Sequence, residues 1–354
     1  MLEKEELLEN KYDVCGGSSK FNLGMIYDSS TPKGVCPLYK TLYTNHCIFD
    51  CKYCHLSKNA KTKKASFTPE ELAKTFMNLA YQRKVEGLFL SSSVSNDPDL
   101  VTEKMIEAVK LIRNKYNYRG YVHFKVLPGV NFDLIKQASE LSDRMSVNIE
   151  STSASRLNEI SSNKDYNSDL VKRQFYLKKL NINQTTQMVI GAADETDFEI
   201  LKTVKFQNEK LKQRRIYFSA FKPIKDTPLE NKEPGSLVRQ NRLYNVDFLM
   251  RKYDFKFNEF KEILVNEMLP KDDPKILIAK NYFDKPIDIN EASREELLRV
   301  PGIGLKTVDN ILVNREKEKI IYKKDLVKQG VIIKRAMPFV KINGYSQSSL
   351  GKFF

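Results

Sequence analysis

Short apolar segments alternate with longer amphipathic ones through residues 38–222, and this alternation limits the possible folds more than any other feature. Strands are predicted at 38–44, 87–94, 121–127, 145–151, 184–191 and 215–222, with helical segments at 68–84, 99–116, 132–142, 153–180 and 197–212. Because no hairpin signal separates these strands, they are expected to run parallel. We therefore predict an α/β fold, a partial (βα)6 barrel of the TIM type, with its chemistry at the carboxyl ends of the strands.

Polar residues interrupt several of these strands, although strands covered on both faces are usually apolar throughout. They are His123 and Lys125 in the third strand, Asn148 and Glu150 in the fourth, Gln187 in the fifth and Tyr217 in the sixth. The pattern predicts a polar lumen. Because an unpaired buried charge is costly, Lys125 and Glu150 need each other or a ligand. A structural Lys–Glu pair or a solvated face is the alternative.

Three of the five cysteines follow the first predicted strand with the spacing C-x3-C-x2-C, at Cys47, Cys51 and Cys54. Three thiolates this close can bind one soft metal centre and leave one coordination position open. Structural zinc needs a fourth ligand, and His46 and His55 each adjoin a cysteine, which is poor chelating geometry. A C-x-x-C-H haem attachment leaves Cys47 unexplained. Buried cysteines without a metal and an iron–sulfur cluster with one open iron are the other interpretations.

The two remaining cysteines differ from these three in their surroundings. Cys36 precedes the first predicted strand, too far from the cluster loop to be a ligand, and is expected to be a buried hydrophobic residue. Cys15 lies in a predicted loop, where its thiol is either structural or a hydrogen donor to a substrate.

The net charge of +14 favours a polyanionic partner, with nucleic acid first and an anionic membrane second. A Lys- and Asn-rich genome would give the same balance without any such partner. No apolar run approaches about 18 residues, and the charged N-terminus lacks the apolar segment of a secretory signal. We therefore expect a cytoplasmic protein that has no membrane partner and keeps its cysteines reduced.

A second module is predicted from Pro286 to the end of the chain. Asn290 or Ser293 can cap a first helix, a Pro301–Gly304 turn follows, and the next helix has Leu305, Val308, Ile311 and Leu312 on one face. This resembles the helix–hairpin–helix motif of DNA-repair and DNA-uptake proteins. The resemblance implies a backbone-phosphate site at Gly302, Ile303, Gly304, Lys306 and Thr307. A hairpin used only for protein contacts is the alternative.

The cysteine spacing C-x3-C-x-aromatic-C, placed directly after the first strand, resembles the radical S-adenosylmethionine (SAM) superfamily over about residues 36–225. The resemblance implies that Cys47, Cys51 and Cys54 hold a 4Fe–4S cluster whose fourth iron binds the amino and carboxylate groups of SAM. One electron then cleaves SAM and releases a 5′-deoxyadenosyl radical, which takes a hydrogen atom from the substrate. An electron donor such as flavodoxin or ferredoxin is implied as a partner.

The same resemblance implies a set of cofactor contacts. Tyr53 stands at the aromatic position near the adenine, and Ser91-Ser92-Ser93 replaces a Gly-Gly-Glu segment, so the small residues remain while the carboxylate is missing. The expected cofactor-binding residues are Tyr53, Ser91, Ser92, Ser93, Asn148, Glu150, Gln187, Gly191 and Tyr217, and a role for Glu195 is left open. The catalytic candidates are Lys125, Glu150 and Cys15.

Taken together, the chain resembles DNA modification or repair proteins of the radical SAM superfamily that carry a C-terminal helix–hairpin–helix. The expected divisions are an N-terminal extension (1–37), the radical SAM core (38–225), a helical linker (226–285) and an all-α DNA-binding module (286–354). Lesion reversal, as in spore photoproduct lyase, and base modification of DNA are the expected activities. A transfer-RNA-modifying enzyme and a non-catalytic iron–sulfur redox sensor that binds nucleic acid are the alternatives.

Overall fold

The computed structural model describes residues 26–31 and 34–346. Its main sheet contains β1 (Ile26–Thr31), β2 (Gly34–Leu42), β3 (Gly87–Ser91), β4 (Tyr121–Lys125), β5 (Arg144–Ser146), β6 (Gln184–Ile190) and β7 (Arg215–Ala220). The strands lie in chain order across the sheet, and β2 to β7 run parallel to one another. The predicted partial barrel of six parallel strands is confirmed, with the sheet curled as a half-barrel.

The first strand of the sheet lies within the N-terminal extension (1–37), where the sequence predicted no strand. β1 pairs antiparallel with β2, with Ile26 opposite Tyr39 and Thr31 opposite Gly34. The sequence around these strands contains Ser, Pro and Gly residues that are equally typical of a loop. Cys36 consequently lies within β2, half-buried, rather than before it. Cys15, one of the catalytic candidates, lies outside the described residues.

Helices connect the parallel strands. Their bounds are α1 Pro69–Tyr81, α2 Pro98–Lys110, α3 Phe132–Ser139, α4 Ala154–Ile160, α5 Lys172–Lys179 and α6 Asp197–Glu209, with π-helical turns at Leu111–Lys115 and Tyr166–Val171. α7 (Leu237–Tyr253) follows the last parallel strand. Within residues 26–31 and 34–346, no helix combines the length and apolar character needed to span a bilayer.

Local sequence signals explain where several helices begin. The Thr68 hydroxyl accepts a hydrogen bond from the backbone N–H of Glu71, and the Glu71 carboxylate accepts one from the N–H of Thr68, as predicted. Thr196 and Glu199 repeat this reciprocal arrangement at the start of α6. Such caps satisfy N–H groups that have no partner within the helix, so the first turn is fixed by local sequence.

The two faces of the parallel sheet have different compositions. Residues that point toward the helices are apolar and almost fully buried, among them Leu88, Leu90, Val122, Phe124 and Met145. The opposite face carries the polar residues identified in the sequence, including His123 and Lys125. The lumen is therefore polar, and the fold is held together mainly by the helix-facing side of the sheet.

The chain divides into two compact units, one ending at Gln240 and the other beginning at Asn241. The second unit contains α8 (Phe257–Lys261), α9 (Pro274–Tyr282), α10 (Arg294–Arg299), α11 (Leu305–Arg315), α12 (Lys323–Lys328) and α13 (Ile333–Ala336). It also contains a small sheet of β8 (Ile287–Asp288), β9 (Val340–Ile342) and β10 (Tyr345–Ser346), which the prediction of an all-α module did not include. These strands have two or three residues each, too short for a periodic sequence signal.

Candidate active site and nucleic-acid interface

The loop with the three cysteines follows β2 and is held against the end of α4. The Asp50 carboxylate accepts hydrogen bonds from the hydroxyl of Ser161 (2.9 Å), from the backbone N–H groups of Ser162 and Asn163 (3.2 Å each), and from the Ser162 hydroxyl. Although partial burial opposes it, this set of donors lowers the pKa of Asp50 to about 2. Asp50, which lies between Cys47 and Cys51 in the sequence, thus fixes the cysteine loop.

Cys47, Cys51 and Cys54 are free thiols that line one cavity. Burial, followed by the neighbouring thiol of Cys51, raises the pKa of Cys54 to about 12, and Cys47 adds to the effect. The three sulfurs are therefore close enough for their charges to interact. A bound cation would offset that repulsion, because metal binding deprotonates thiols. The donor set fits an iron–sulfur cluster.

Among the described residues, no three His, Cys, Asp or Glu side chains converge closely enough to hold a single metal ion. Three cysteines that hold a 4Fe–4S cluster bind three different irons, so their sulfurs need not converge on one point.

The cavity has a volume of about 170 Å³ and lies at the carboxyl ends of the parallel strands. Its lining includes most of the predicted site residues: the three cysteines, Tyr53, Ser91, Ser92, Ser93, Lys125, Asn148, Glu150 and Gln187. A second cavity of about 700 Å³ shares Tyr53, His55 and Ile224 with it and is bordered by the exposed Lys61, Lys222 and Lys225. The smaller cavity thus lies at the end of the sheet where the sequence predicted the chemistry.

Glu150 occupies a special backbone position beyond β5. Its φ of 62° is in the left-handed region, and its backbone bonds on both sides to the strand β6, from Glu150 N–H to Gln187 O (3.0 Å) and from Val189 N–H to Glu150 O (2.8 Å). The side chain is hydrogen-bonded to the Tyr53 hydroxyl, and burial followed by the Glu150 charge raises the pKa of Tyr53. Tyr53 and Glu150, both expected to bind SAM, are therefore in contact with each other.

The pair of Lys125 and Glu150 considered in the sequence is not formed among the described residues, although both side chains line the cavity. The cation near Glu150 is Lys164, which the sequence did not single out. Burial opposes the charge of Lys164, yet the Cys51 thiolate and the Glu150 carboxylate outweigh it and raise the pKa of the ammonium group. Lys164 also lies 5.0 Å from the ring centroid of Phe49 in the cysteine loop.

The three serines after β3 are fixed to the end of β2 by backbone hydrogen bonds. Tyr43 N–H donates to Ser91 O (2.8 Å), and Ser93 N–H donates to Thr44 O (2.9 Å). The Ser92 hydroxyl donates to the carbonyl of Ser93 (2.7 Å), so its hydrogen is already engaged. These hydrogen bonds hold the three serines, which line the cavity, close to the start of the cysteine loop.

Gly191 and Tyr217 are not in the described lining of this cavity. The N–H of Gly191 donates to the Glu195 carboxylate (2.6 Å), which also accepts from the N–H of Ala193. Arg239 bonds to the backbone of Glu195 (2.6 Å) and to the Asp197 carboxylate (2.7 Å). Glu195, left open in the sequence, thus fixes the turn after β6.

In the second unit, α10 and α11 form the predicted hairpin. Ser293, rather than Asn290, caps α10 through a reciprocal arrangement with Glu296. Ile303 is buried between the helices with 1% of its surface exposed, as expected. Its N–H donates to Val300 O (3.2 Å), whereas Gly304 begins α11 without a side-chain cap. The amides from Gly304 through the first turn of α11 are those suited to a phosphate.

Lys306 and Thr307, which follow the turn of the first hairpin, differ in whether their polar groups are already bonded within the protein. Lys306 is exposed on the first turn of α11. The Thr307 hydroxyl donates to the carbonyl of Gly330 (3.2 Å), so its hydrogen is engaged within the protein.

A second hairpin joins α12 to α13, within the segment 321–341 for which the sequence predicts helices that complete the module. Gly330 has a φ of +89°, close to the +85° of Gly302 in the first hairpin. Ile332 N–H donates to Gly302 O (3.0 Å), while Thr307 donates to Gly330 O, so each turn bonds to the helix start of the other. The signal in the sequence was weak, because Gln329-Gly330-Val331-Ile332 lacks both the proline and the second glycine of the first turn.

Comparisons with known proteins found one family match in each of the two units. Residues 41–206 match the Radical SAM superfamily, and residues 285–313 match the helix–hairpin–helix motif. No curated protein matches the chain. Among solved structures, it is similar to methylornithine synthase (TM-score 0.51, 11% identity, covering 60% of this chain and 61% of that one). The FeFe-hydrogenase maturase HydG from Carboxydothermus hydrogenoformans has a TM-score of 0.49 at 11% identity, with 60% and 51% covered. The chain thus spans about half to three-fifths of the length of these two structures.

The chain contains a radical SAM domain, a class of enzyme domain whose cofactors are a 4Fe–4S cluster and SAM. It also contains a helix–hairpin–helix motif in its second unit. These two matches confirm the predicted radical SAM domain, its cofactors and the predicted helix–hairpin–helix motif.

Proposed function

We propose that this chain is a radical SAM enzyme that modifies or repairs nucleic acid, with DNA as the preferred substrate. One observation carries the proposal. The same chain combines a cavity lined by three free thiols with a helix–hairpin–helix whose second helix begins without a side-chain cap. The first arrangement suits a radical-generating cofactor, and the second suits a backbone phosphate. The net charge of +14 supports a polyanionic substrate.

In this proposal, Cys47, Cys51 and Cys54 hold the 4Fe–4S cluster. When bound, the cluster and SAM would supply one-electron chemistry that removes a hydrogen atom from the substrate. An external reductant such as flavodoxin or ferredoxin delivers the electron, as the family resemblance implies.

The polar cavity residues orient SAM. Lys164 has the charge to bind the methionine carboxylate, and Glu150 has the charge to bind the methionine amino group. The Tyr53 hydroxyl bonded to Glu150 fixes the direction of that carboxylate. Asn148 and Gln187 offer amide groups for the ribose hydroxyls. The apolar part of the lining keeps water from the reacting atoms.

The hairpin contributes binding without base discrimination. Backbone amides and Lys306 contact phosphate oxygens, which positions a nucleic acid but carries no sequence information. A base in duplex DNA is hidden in the stack, so it must leave the helix to reach a cavity. The choice of base or lesion therefore belongs to the cavity of the first unit.

Cofactor cleavage is the first test. Anaerobically reconstituted protein with dithionite is expected to release 5′-deoxyadenosine from SAM, and a Cys47→Ala, Cys51→Ala, Cys54→Ala triple variant is expected to release none. Protein that carries a full cluster and binds SAM but never cleaves it would show that the redox-sensor alternative is correct.

Substrate class is the second test. Binding of duplex DNA, single-stranded DNA and transfer RNA is compared at one fixed salt concentration, since affinities at different salt are not comparable. Mass spectrometry of nucleosides from DNA and RNA, in cells with and without the gene, then identifies the modified base. Tighter binding of transfer RNA, with changed RNA nucleosides only, would replace the DNA proposal with the RNA alternative.

A further inference from the structure

Four side chains lie side by side across the sheet, one layer below the floor of the cavity. Strand pairing aligns Lys40 with Phe89, Phe89 with His123, and His123 with Arg144, across β2 to β5. Directly paired residues of parallel strands point to the same face of a sheet. Lys125, two residues beyond His123 on the same strand, lines the cavity. The row therefore lies on the lumen face, directly beneath the position of Lys125.

Aromatic rings separate the cations of this row. The Phe89 and His123 rings lie 4.3 Å apart between centroids, and the Lys40 ammonium is 5.0 Å from the Phe89 centroid. The His123 Nε2 lies 2.9 Å from the Ser146 hydroxyl. The Arg144 guanidinium is 5.8 Å from the centroid of the Tyr121 ring. These contacts fix the cations in a water-poor environment, where their field is stronger than at a surface.

The positive charges of Lys40, Lys125 and Arg144 all act on the imidazole of His123. Burial lowers the pKa of His123, and Arg144, Lys125 and Lys40 lower it further, so the imidazole is neutral. Burial and then Lys125 lower the pKa of Lys40 to about 7. Lys40, Lys125 and Arg144 therefore lie close enough to His123 for their charges to act on its ring.

Two of these cations lack a counter-charge in the part of the chain that the structure describes. Neither Lys125 nor Arg144 forms an ion pair there, and the buried Nε of Arg144 has no hydrogen-bond partner. Both side chains are half-buried, and a partly desolvated cation without a counter-charge is costly. An anionic group bound at Lys125 would supply the missing charge.

We propose that Lys125, backed by Lys40 and Arg144, forms a subsite that binds a phosphate group of the substrate nucleotide. Lys125 makes the direct contact, because it lines the cavity, and the two cations below it strengthen the local field. The choice of a nucleotide phosphate rests on the proposed function, whereas the preference for an anion rests on the side chains alone. The subsite would hold a nucleotide by its backbone and leave its base free to face the cysteine end of the cavity.

The test uses the reconstituted full-length protein and small probes, so that it does not depend on the hairpin. Binding of a 2′-deoxynucleoside 5′-monophosphate, the matching nucleoside and inorganic phosphate is measured by calorimetry under anaerobic conditions. The monophosphate is expected to bind about tenfold more tightly than the nucleoside, as for a charge-assisted hydrogen bond. Lys125→Met and Arg144→Gln are expected to abolish this preference, while Lys125→Arg and the exposed-surface control Lys74→Met retain it.

Iron content and unfolding temperature are measured for each variant, so that loss of folding is separated from loss of the subsite. Equal binding of monophosphate and nucleoside by the native protein would overturn the proposal, as would a preference that survives both Lys125→Met and Arg144→Gln. Tighter binding of a free amino acid than of the monophosphate would assign the subsite to a carboxylate instead. Each of these results can occur while the hairpin still binds DNA and DNA nucleosides still change, so the two proposals fail separately.

Discussion

The ammonium group of Lys275 donates a 2.7 Å hydrogen bond to the carbonyl oxygen of Ile303, inside the turn of the first hairpin. Lys275 is 8% exposed, and its ammonium lies 4.7 Å from the ring centroid of Tyr253. A buried lysine thus fixes the turn of the helix–hairpin–helix at Ile303, a residue that packs into the core of the second unit. Nothing in the sequence around Lys275 distinguishes it from the many exposed lysines of this chain.

Replacing Lys275 with methionine is expected to destabilise the second unit. The change leaves the buried Ile303 carbonyl without its donor, which costs about 1–3 kcal/mol. Thermal unfolding of the full chain measures the effect, with the exposed Lys261→Met as control. An unchanged unfolding temperature for Lys275→Met would show that the bond contributes nothing to the hairpin.

The same lysine gives stability a dependence on pH. Burial, followed by the nearby Arg335, lowers the pKa of Lys275 from 10.5 to about 7. Between these values the unfolded chain binds more protons than the folded chain, so raising the pH through this window favours folding. The stability of the native protein minus that of Lys275→Met is expected to rise from pH 7 toward pH 10 in denaturant titrations. A difference that stays flat or falls would contradict the lowered pKa.

The two glycines of the hairpin are expected to differ in their tolerance of alanine. Gly302 has a φ of +85°, and a Cβ there would lie 2.6 Å from the carbonyl oxygen of Ile332. At Gly304 the nearest atom to a Cβ is the Tyr253 hydroxyl at 3.5 Å, an ordinary contact. Gly302→Ala is therefore expected to cost about 1–3 kcal/mol through strain and overpacking. Gly304→Ala, the matched control, is expected to fold normally, and equal unfolding temperatures would contradict the account.

Asp50 is expected to control cluster retention without touching iron. Asp50→Ala removes the acceptor of four hydrogen bonds that hold the cysteine loop against the residues after α4. Groups that orient metal ligands typically contribute roughly 10- to 100-fold to metal affinity. Iron and sulfide per chain, measured after challenge with a chelator, are expected to fall accordingly. The exposed Asp133→Asn serves as control, and full retention by Asp50→Ala would show that the loop is fixed by its other contacts.

Local signals in the sequence predicted the six parallel strands, several helix starts and the position of the cysteine loop. Thr68 with Glu71, and Ser293 with Glu296, form caps within four residues, so their structure follows from short-range hydrogen bonds. The polar lumen was likewise predicted, because alternation along a strand places side chains on one face.

The sequence did not predict which residues far apart along the chain would contact each other. Lys164 reaches the cysteines from about a hundred residues farther along the chain, as does Ser161, which bonds to Asp50. The sequence left Lys125 or a ligand as the partner of Glu150, and the structure places Tyr53 and Lys164 beside it. Which polar groups meet in a lumen depends on the curvature of the sheet and the course of its loops, and neither has a periodic signature.

Lys306 is expected to contribute to nucleic-acid binding through charge alone. It is exposed on the first turn of α11, beside backbone amides suited to a phosphate. Each phosphate contact from a lysine releases condensed counterions, so Lys306→Ala should lower the slope of log affinity against log salt by about 1. The loss is expected to be the same for duplexes of different sequence. Lys104→Ala, which removes an exposed lysine paired with Glu107 in the first unit, is the control and should leave the slope unchanged. An unchanged slope for Lys306→Ala, or a loss confined to one sequence, would mean that this turn does not bind the backbone.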